Sequence, residues 1–70
     1  MGKIPQISHK RAIRAFEKFG FKVIRHSKHV SMYDGRNIII IPRANPINTY
    51  TLKGIIDDAG VEISDFLNAL

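Results

Sequence analysis

Seventy residues, no cysteine, a net charge of +5 and a sequence pI near 10 leave room for one small domain, residues 1–70. They leave none for a disulfide staple or a thiolate metal site. No apolar run approaches the roughly 20 residues that span a bilayer, and the opening MGKIPQISHKR has no signal-like apolar segment, so the expectation is a cytoplasmic protein with no membrane association.

Met1 to Ile7 reads as a short lead-in containing Pro5. Ser8 is placed to cap a helix and Gly20 to end it as its C′ residue. Between them Ala12, Ile13, Phe16 and Phe19 recur at helical spacing. Arg11, Arg14 and Lys18 form a second, basic stripe that could grip a phosphate backbone.

Phe21 to His26 reads as a first strand. Strict alternation puts Phe21, Val23 and Arg25 on one face and Lys22, Ile24 and His26 on the other. The chain bends near Ser27 and Lys28. A second strand runs from about Lys28 to Tyr33. A third runs from Arg36 or Asn37 to Ile41, with four consecutive isoleucines too β-branched and too short for a helix. Asp34-Gly35 favours a two-residue hairpin turn, which pairs Tyr33 with Arg36, Ser31 with Ile38 and His29 with Ile40. Val30, Met32, Ile39 and Ile41 then form a core face. His29, Ser31, Tyr33, Arg36, Ile38 and Ile40 form the other, an open face with an apolar strip.

Pro42 to Asn48 reads as a structured loop, rich in proline and asparagine. Thr49 or Thr51 is set to cap the next helix, which buries Leu52, Ile55, Ile56 and Ala59 and stops at Gly60. Ser64 is set to cap a short last helix, with Asp65 in its first turn. The order is that of an α+β domain: α-β-β-β-α, a three-stranded antiparallel sheet packed on one face by helices, plus a short C-terminal helix. This is the layout of the double-stranded RNA-binding domain.

The charge is uneven. Nine Lys or Arg and only Glu17 and Asp34 precede Asn37, whereas two Lys or Arg and four acids follow from there. A basic half suits a polyanion, most often nucleic acid. Within it His29 stands on the wet face of a strand beside Lys28. Imidazole ordinarily titrates near pH 6.5, which makes it the natural proton carrier at neutral pH. His26 competes for that role, and His9 reads as structural or solvated. Three scattered histidines give no metal-ligand pattern, so no metal and no cofactor are expected. Tyr33 and Tyr50 could stack on bases, but read rather as core or rim packing. A DNA-binding helix-turn-helix is disfavoured, because the middle of the chain reads as strands.

The sequence resembles the HicA toxins, small ribonucleases of type II toxin–antitoxin systems. The resemblance covers nearly the whole chain. It is carried by FGFKVIR, the pair Lys28-His29, and IPRANPINTYTLKGIIDDAGVEISDFL, with the phrases IPR-x-NPIN and GII-x-DAG. It implies a fold like the double-stranded RNA-binding domain, metal-independent cleavage of messenger RNA, and inhibition by a HicB-type antitoxin. The family's catalytic histidine on the second strand corresponds to His29. Ser27 stands where the family has glycine, and Ala44 where many relatives carry a histidine. The candidate RNA contacts are Lys22, Arg25, Lys28, Arg36 and Arg43, with Arg11, Arg14 and Lys18 on the first helix. Two other readings fit the same charge and fold: an RNA-binding module without turnover, and a domain whose main role is to bind its protein partner.

Overall fold

The computed structural model describes residues 4–70; Met1 to Lys3, the start of the lead-in, lie outside the described residues. The elements are α1 (His9–Glu17), β1 (Lys22–His26), β2 (His29–Tyr33), β3 (Ile38–Pro42), α2 (Thr49–Ala59) and α3 (Ile63–Asn68). The strands form one antiparallel sheet in the order β1-β2-β3. The expected α-β-β-β-α order and the short last helix are therefore as read from the sequence.

Two-residue alternation on β2 and β3 decides which side of the sheet is covered. Val30, Met32, Ile39 and Ile41 are at most 1% exposed. Both α1 and α2 pack against β3 on that side, and bring Ala12, Ala15, Phe16, Leu52, Ile55, Ile56 and Ala59 into the core. Phe16 links the layers. Its ring meets Phe21 edge-on at 5.8 Å between centroids and lies tilted against Phe66 of α3 at 4.8 Å. Each fully buried side chain of this size contributes roughly 1.5–3 kcal/mol. A chain with so little interior depends on nearly all of them.

The helix ends show which polar side chains were well placed. Ser8 Oγ accepts the Arg11 amide at 3.2 Å, as expected of a cap. At the far end Gly20 has φ +90°, and the amides of Gly20 and Phe21 return to the carbonyls of Glu17 and Phe16. That paired closure needs a left-handed residue, which glycine takes without a Cβ penalty. For α2 the cap is Asn48, not Thr49 or Thr51. Its Oδ1 accepts the amides of Tyr50 at 2.9 Å and Thr51 at 3.3 Å. Asn48 holds the last extended position before the helix, and both threonines already lie in the first turn. Ser64 likewise lies inside α3, whose cap position is Glu62. Asp65 does fall in its first turn.

The loop before α2 is structured. Its Ile47 is buried, and its amide donates to the Ile7 carbonyl at 2.8 Å. The His9 amide donates in turn to Ala44 at 3.0 Å, so the start of α1 is tied to the loop.

Two registers differ from the expectation. The β2–β3 turn uses four residues, Asp34 to Asn37, because the Asp34 carboxylate gathers the amides of Arg36 at 2.8 Å and Asn37 at 2.6 Å. The pairs are Tyr33 with Ile38, Ser31 with Ile40 and His29 with Pro42. This moves the pairing by two residues, so every β2 and β3 side chain keeps its expected face, but Arg36 leaves the strand for the turn. In β1 the pairing runs Lys22 with Tyr33 and Val23 with Met32, then shifts to Arg25 with Ser31 and His26 with Val30. Ile24 is the extra residue of a bulge. Alternation therefore fails there: Lys22 and Arg25 share one face, and His26 lies on the other. β1 is a sheet edge exposed along its whole length, where no helix locks the register and bulges are common.

Three outcomes follow from these contacts. Asn48→Ala lowers folding stability by about 1 kcal/mol in chemical denaturation, the usual value of a lost cap. Phe66→Ala lowers it by about 3–5 kcal/mol by opening a void between α1 and α3. The bonds from the amides of Asn37 and Arg36 hold the Asp34 carboxyl below its ordinary value of 3.8. A folded value below the unfolded one gives stability that is complete above the unfolded value and is lost as pH falls through the folded one. Asp34→Ala therefore lowers the melting temperature at neutral pH, and the gap to the wild type closes in acid.

Candidate functional site

Because the core face of β2 and β3 is sealed, their alternate residues stand on the open side of the sheet. The register sets them out in rows across the three strands. Lys22, Tyr33 and Ile38 form one row; Arg25, Ser31 and Ile40 form the next; His29 and Pro42 form the last. Rows are about 7 Å apart and adjacent strands about 4.8 Å apart. Read along the strands instead, β1 supplies a cationic column, β2 a polar column ending in the imidazole, and β3 an apolar column. Ile38 and Ile40 are 57% and 49% exposed.

His29 sits at the end of the sheet where two chain corners meet. The β1–β2 corner is closed by the Ser27 amide donating to the His29 carbonyl at 3.1 Å. Arg43, next to the residue opposite His29, reaches across and donates from Nη1 to the Ser27 carbonyl at 3.4 Å. Lys28 is exposed in the same corner. His29, Lys28 and Arg43 are thus gathered at one end, with Arg25 on the adjoining row. Among the described residues no non-glycine has a positive φ, so Ser27 holds a backbone any residue adopts and the departure from glycine leaves the corner unstrained.

Other candidates fall elsewhere. Arg36 lies in the turn beyond Tyr33, at the opposite end of β2 and roughly 13 Å or more from His29 along the strand. Arg11, Arg14 and Lys18 belong to the helix layer on the far side of the sheet, and Lys18 Nζ donates to the Ala69 carbonyl at the end of α3. His26 pairs with Val30 and faces away from His29. His9 Nδ1 lies 3.3 Å from the Ala44 carbonyl and helps fasten the loop. Tyr33 is at the rim, its hydroxyl donating to the Gly35 carbonyl at 2.9 Å. Tyr50 is 85% exposed and packs in neither core nor rim. Among the described residues no group of three or more His, Cys, Asp or Glu is gathered to hold a metal ion, and no helix is long and apolar enough to cross a membrane.

The joint placement of Lys22 and Arg25 was not readable from FKVIRH, which has no glycine or proline to mark a bulge. The reach of Arg43 to Ser27 had no sequence signal either.

A three-stranded sheet backed by helices, with its other face bearing cations and one imidazole, defines a small α+β protein of the double-stranded-RNA-binding-domain type. The model of the HicA toxin family, "HicA toxin of bacterial toxin–antitoxin", matches residues 10–61, and the chain belongs to that family. Membership makes it the toxin of a toxin–antitoxin pair and implies an antitoxin as its partner. Comparison with curated proteins and with solved structures gives no match.

Proposed function

We propose that the chain is a toxin ribonuclease, an mRNA interferase acting in the cytoplasm as a single HicA-like domain over residues 1–70. Its open sheet face is the catalytic surface, and a HicB-type antitoxin inhibits it by covering that face. The observation that carries this reading is the meeting of His29, Lys28 and Arg43 at one exposed corner of the sheet in a member of a toxin family.

RNA supplies its own nucleophile. His29 takes the proton of a 2′-hydroxyl, whose oxygen attacks the adjacent phosphorus. The bond from phosphorus to the 5′-oxygen breaks, and that oxygen takes a proton from water or from the imidazolium. The products are a 2′,3′-cyclic phosphate and a free 5′-hydroxyl. No metal or cofactor enters this balance. The transition state carries extra negative charge on the phosphoryl oxygens, and cations already in position stabilise it without reorganising. Arg43, fastened to the corner, and Lys28 and Arg25, beside it, fill that role. Arg36 and Lys22 contact the RNA further along the face. Arg11, Arg14 and Lys18 contact it only where the strand passes round to the helix layer. A single exposed imidazole that serves one proton transfer, with water completing the other, makes a slow enzyme.

The test is cleavage of a long single-stranded RNA in excess chelator, comparing wild type with His29→Ala. The exposed position of His29 predicts a normal fold for the variant, checked by circular dichroism. The expected result is cyclic-phosphate ends from the wild type and a rate 10²–10⁴-fold lower, by order of magnitude, in the variant. Equal rates in both proteins would sink the assignment. RNA binding without cleavage by the wild type would make the face a binding module.

A further inference from the structure

The open face is not uniformly basic, and its pattern bears on what form of RNA it takes. The cationic column, Lys22 and Arg25, lies on the β1 edge. The apolar column, Ile38 and Ile40 with Pro42, lies two strands away on β3. The two are roughly 10 Å apart at the usual strand spacing, about the reach of a nucleotide from its phosphate to its base. Tyr33 stands between them at one end, its ring held by the hydroxyl bond to Gly35.

A duplex presents phosphate and sugar to a protein and keeps the faces of its bases inside the stack. Laid on this sheet, it would set charged oxygens against Ile38 and Ile40 and gain nothing from them. An unpaired strand carries charge along one side and exposed base faces along the other, which matches the two columns side by side. Single-strand readers pair a basic track with aromatic rings on which bases stack; here Tyr33 supplies the ring, and the exposed Ile38 and Ile40 extend the apolar surface beside it.

We infer that Ile38, Ile40 and Tyr33 form a subsite for unpaired bases, with Lys22 and Arg25 holding the backbone beside them. The face thereby selects single-stranded over duplex RNA, although the fold type is named for duplex binding. The bulge at Ile24 is part of this device, because regular alternation would not put Lys22 and Arg25 on one face. The inference rests on the RNA reading above but not on turnover.

The test measures affinity by fluorescence anisotropy at fixed salt in a His29→Ala background, so that no RNA is consumed. The probes are a single-stranded 12-mer, the matching duplex, and an abasic 12-mer of ribose phosphate. The protein is compared with Ile38→Thr/Ile40→Thr, which keeps the β-branched shape on half-exposed positions, with folding checked by its melting curve. The expected result is at least ten-fold tighter binding of the single strand than of either other probe. That preference is lost in the threonine variant, while Lys22→Ala/Arg25→Ala weakens all three probes and flattens the salt dependence.

Duplex bound as tightly as single strand would overturn the inference. So would a preference that survives in the threonine variant, which would leave the apolar column to a protein partner. A preference for unpaired bases that depends on Ile38 and Ile40, in a protein whose wild type cleaves no RNA, would keep the inference and sink the ribonuclease reading. No binding to any probe would sink both.

Discussion

The structure depends on the burial of one face of the β2–β3 hairpin. Val30, Met32, Ile39 and Ile41 are shut away beneath α1 and α2. A strand turns successive side chains to opposite sides. Sealing these four therefore places His29, Ser31, Tyr33, Ile38 and Ile40 on the open side. A slip of one residue would expose the core set and bury the imidazole, at a cost of several buried side chains. The same apolar contacts that hold the fold together thus orient the proposed proton carrier. Its direction is set by the far side of the sheet rather than by any bond of its own ring.

β1 is held differently. Its five residues are all exposed and pair with β2 alone, with the buried Phe21 anchoring the chain just before it. An edge with no core face has no penalty to enforce strict alternation, so an extra residue is tolerated at Ile24. The consequence is chemical: two cations that regular alternation would separate are brought onto one face. The locked hairpin and the loosely governed edge thus divide the work. One positions the imidazole and the apolar column, and the other is free to collect charge.

The corner around His29 is built from three distant parts of the sequence. Ser27 and Lys28 come from the β1–β2 bend, His29 from β2, and Arg43 from the loop after β3. That loop is held in turn by backbone bonds from Ile47 to Ile7 and from His9 to Ala44. The lead-in and the first turn of α1 therefore bear on the corner through Ala44, the neighbour of Arg43. The basic stripe of α1 faces elsewhere, and Lys18 is engaged with the end of α3.

Much of this was legible in the sequence. The helical spacing of Ala12, Ile13, Phe16 and Phe19 and of Leu52, Ile55, Ile56 and Ala59, the run of four isoleucines, and the glycines at positions 20 and 60 determined the elements and their order, because periodicity and left-handed backbone positions are local properties. The same alternation singled out His29 and the side on which it stands. What the tertiary structure alone decided were the cap of α2, the length of the β2–β3 turn, the bulge in β1 and the approach of Arg43 to Ser27. The turn and the cap hinge on which of several competing oxygens reaches a backbone amide, Asp34 in one case and Asn48 in the other. The bulge and the corner hinge on how an exposed edge pairs with its neighbour and where a distant loop comes to rest. Those are comparisons between whole arrangements of the chain, and no short stretch of residues carries them.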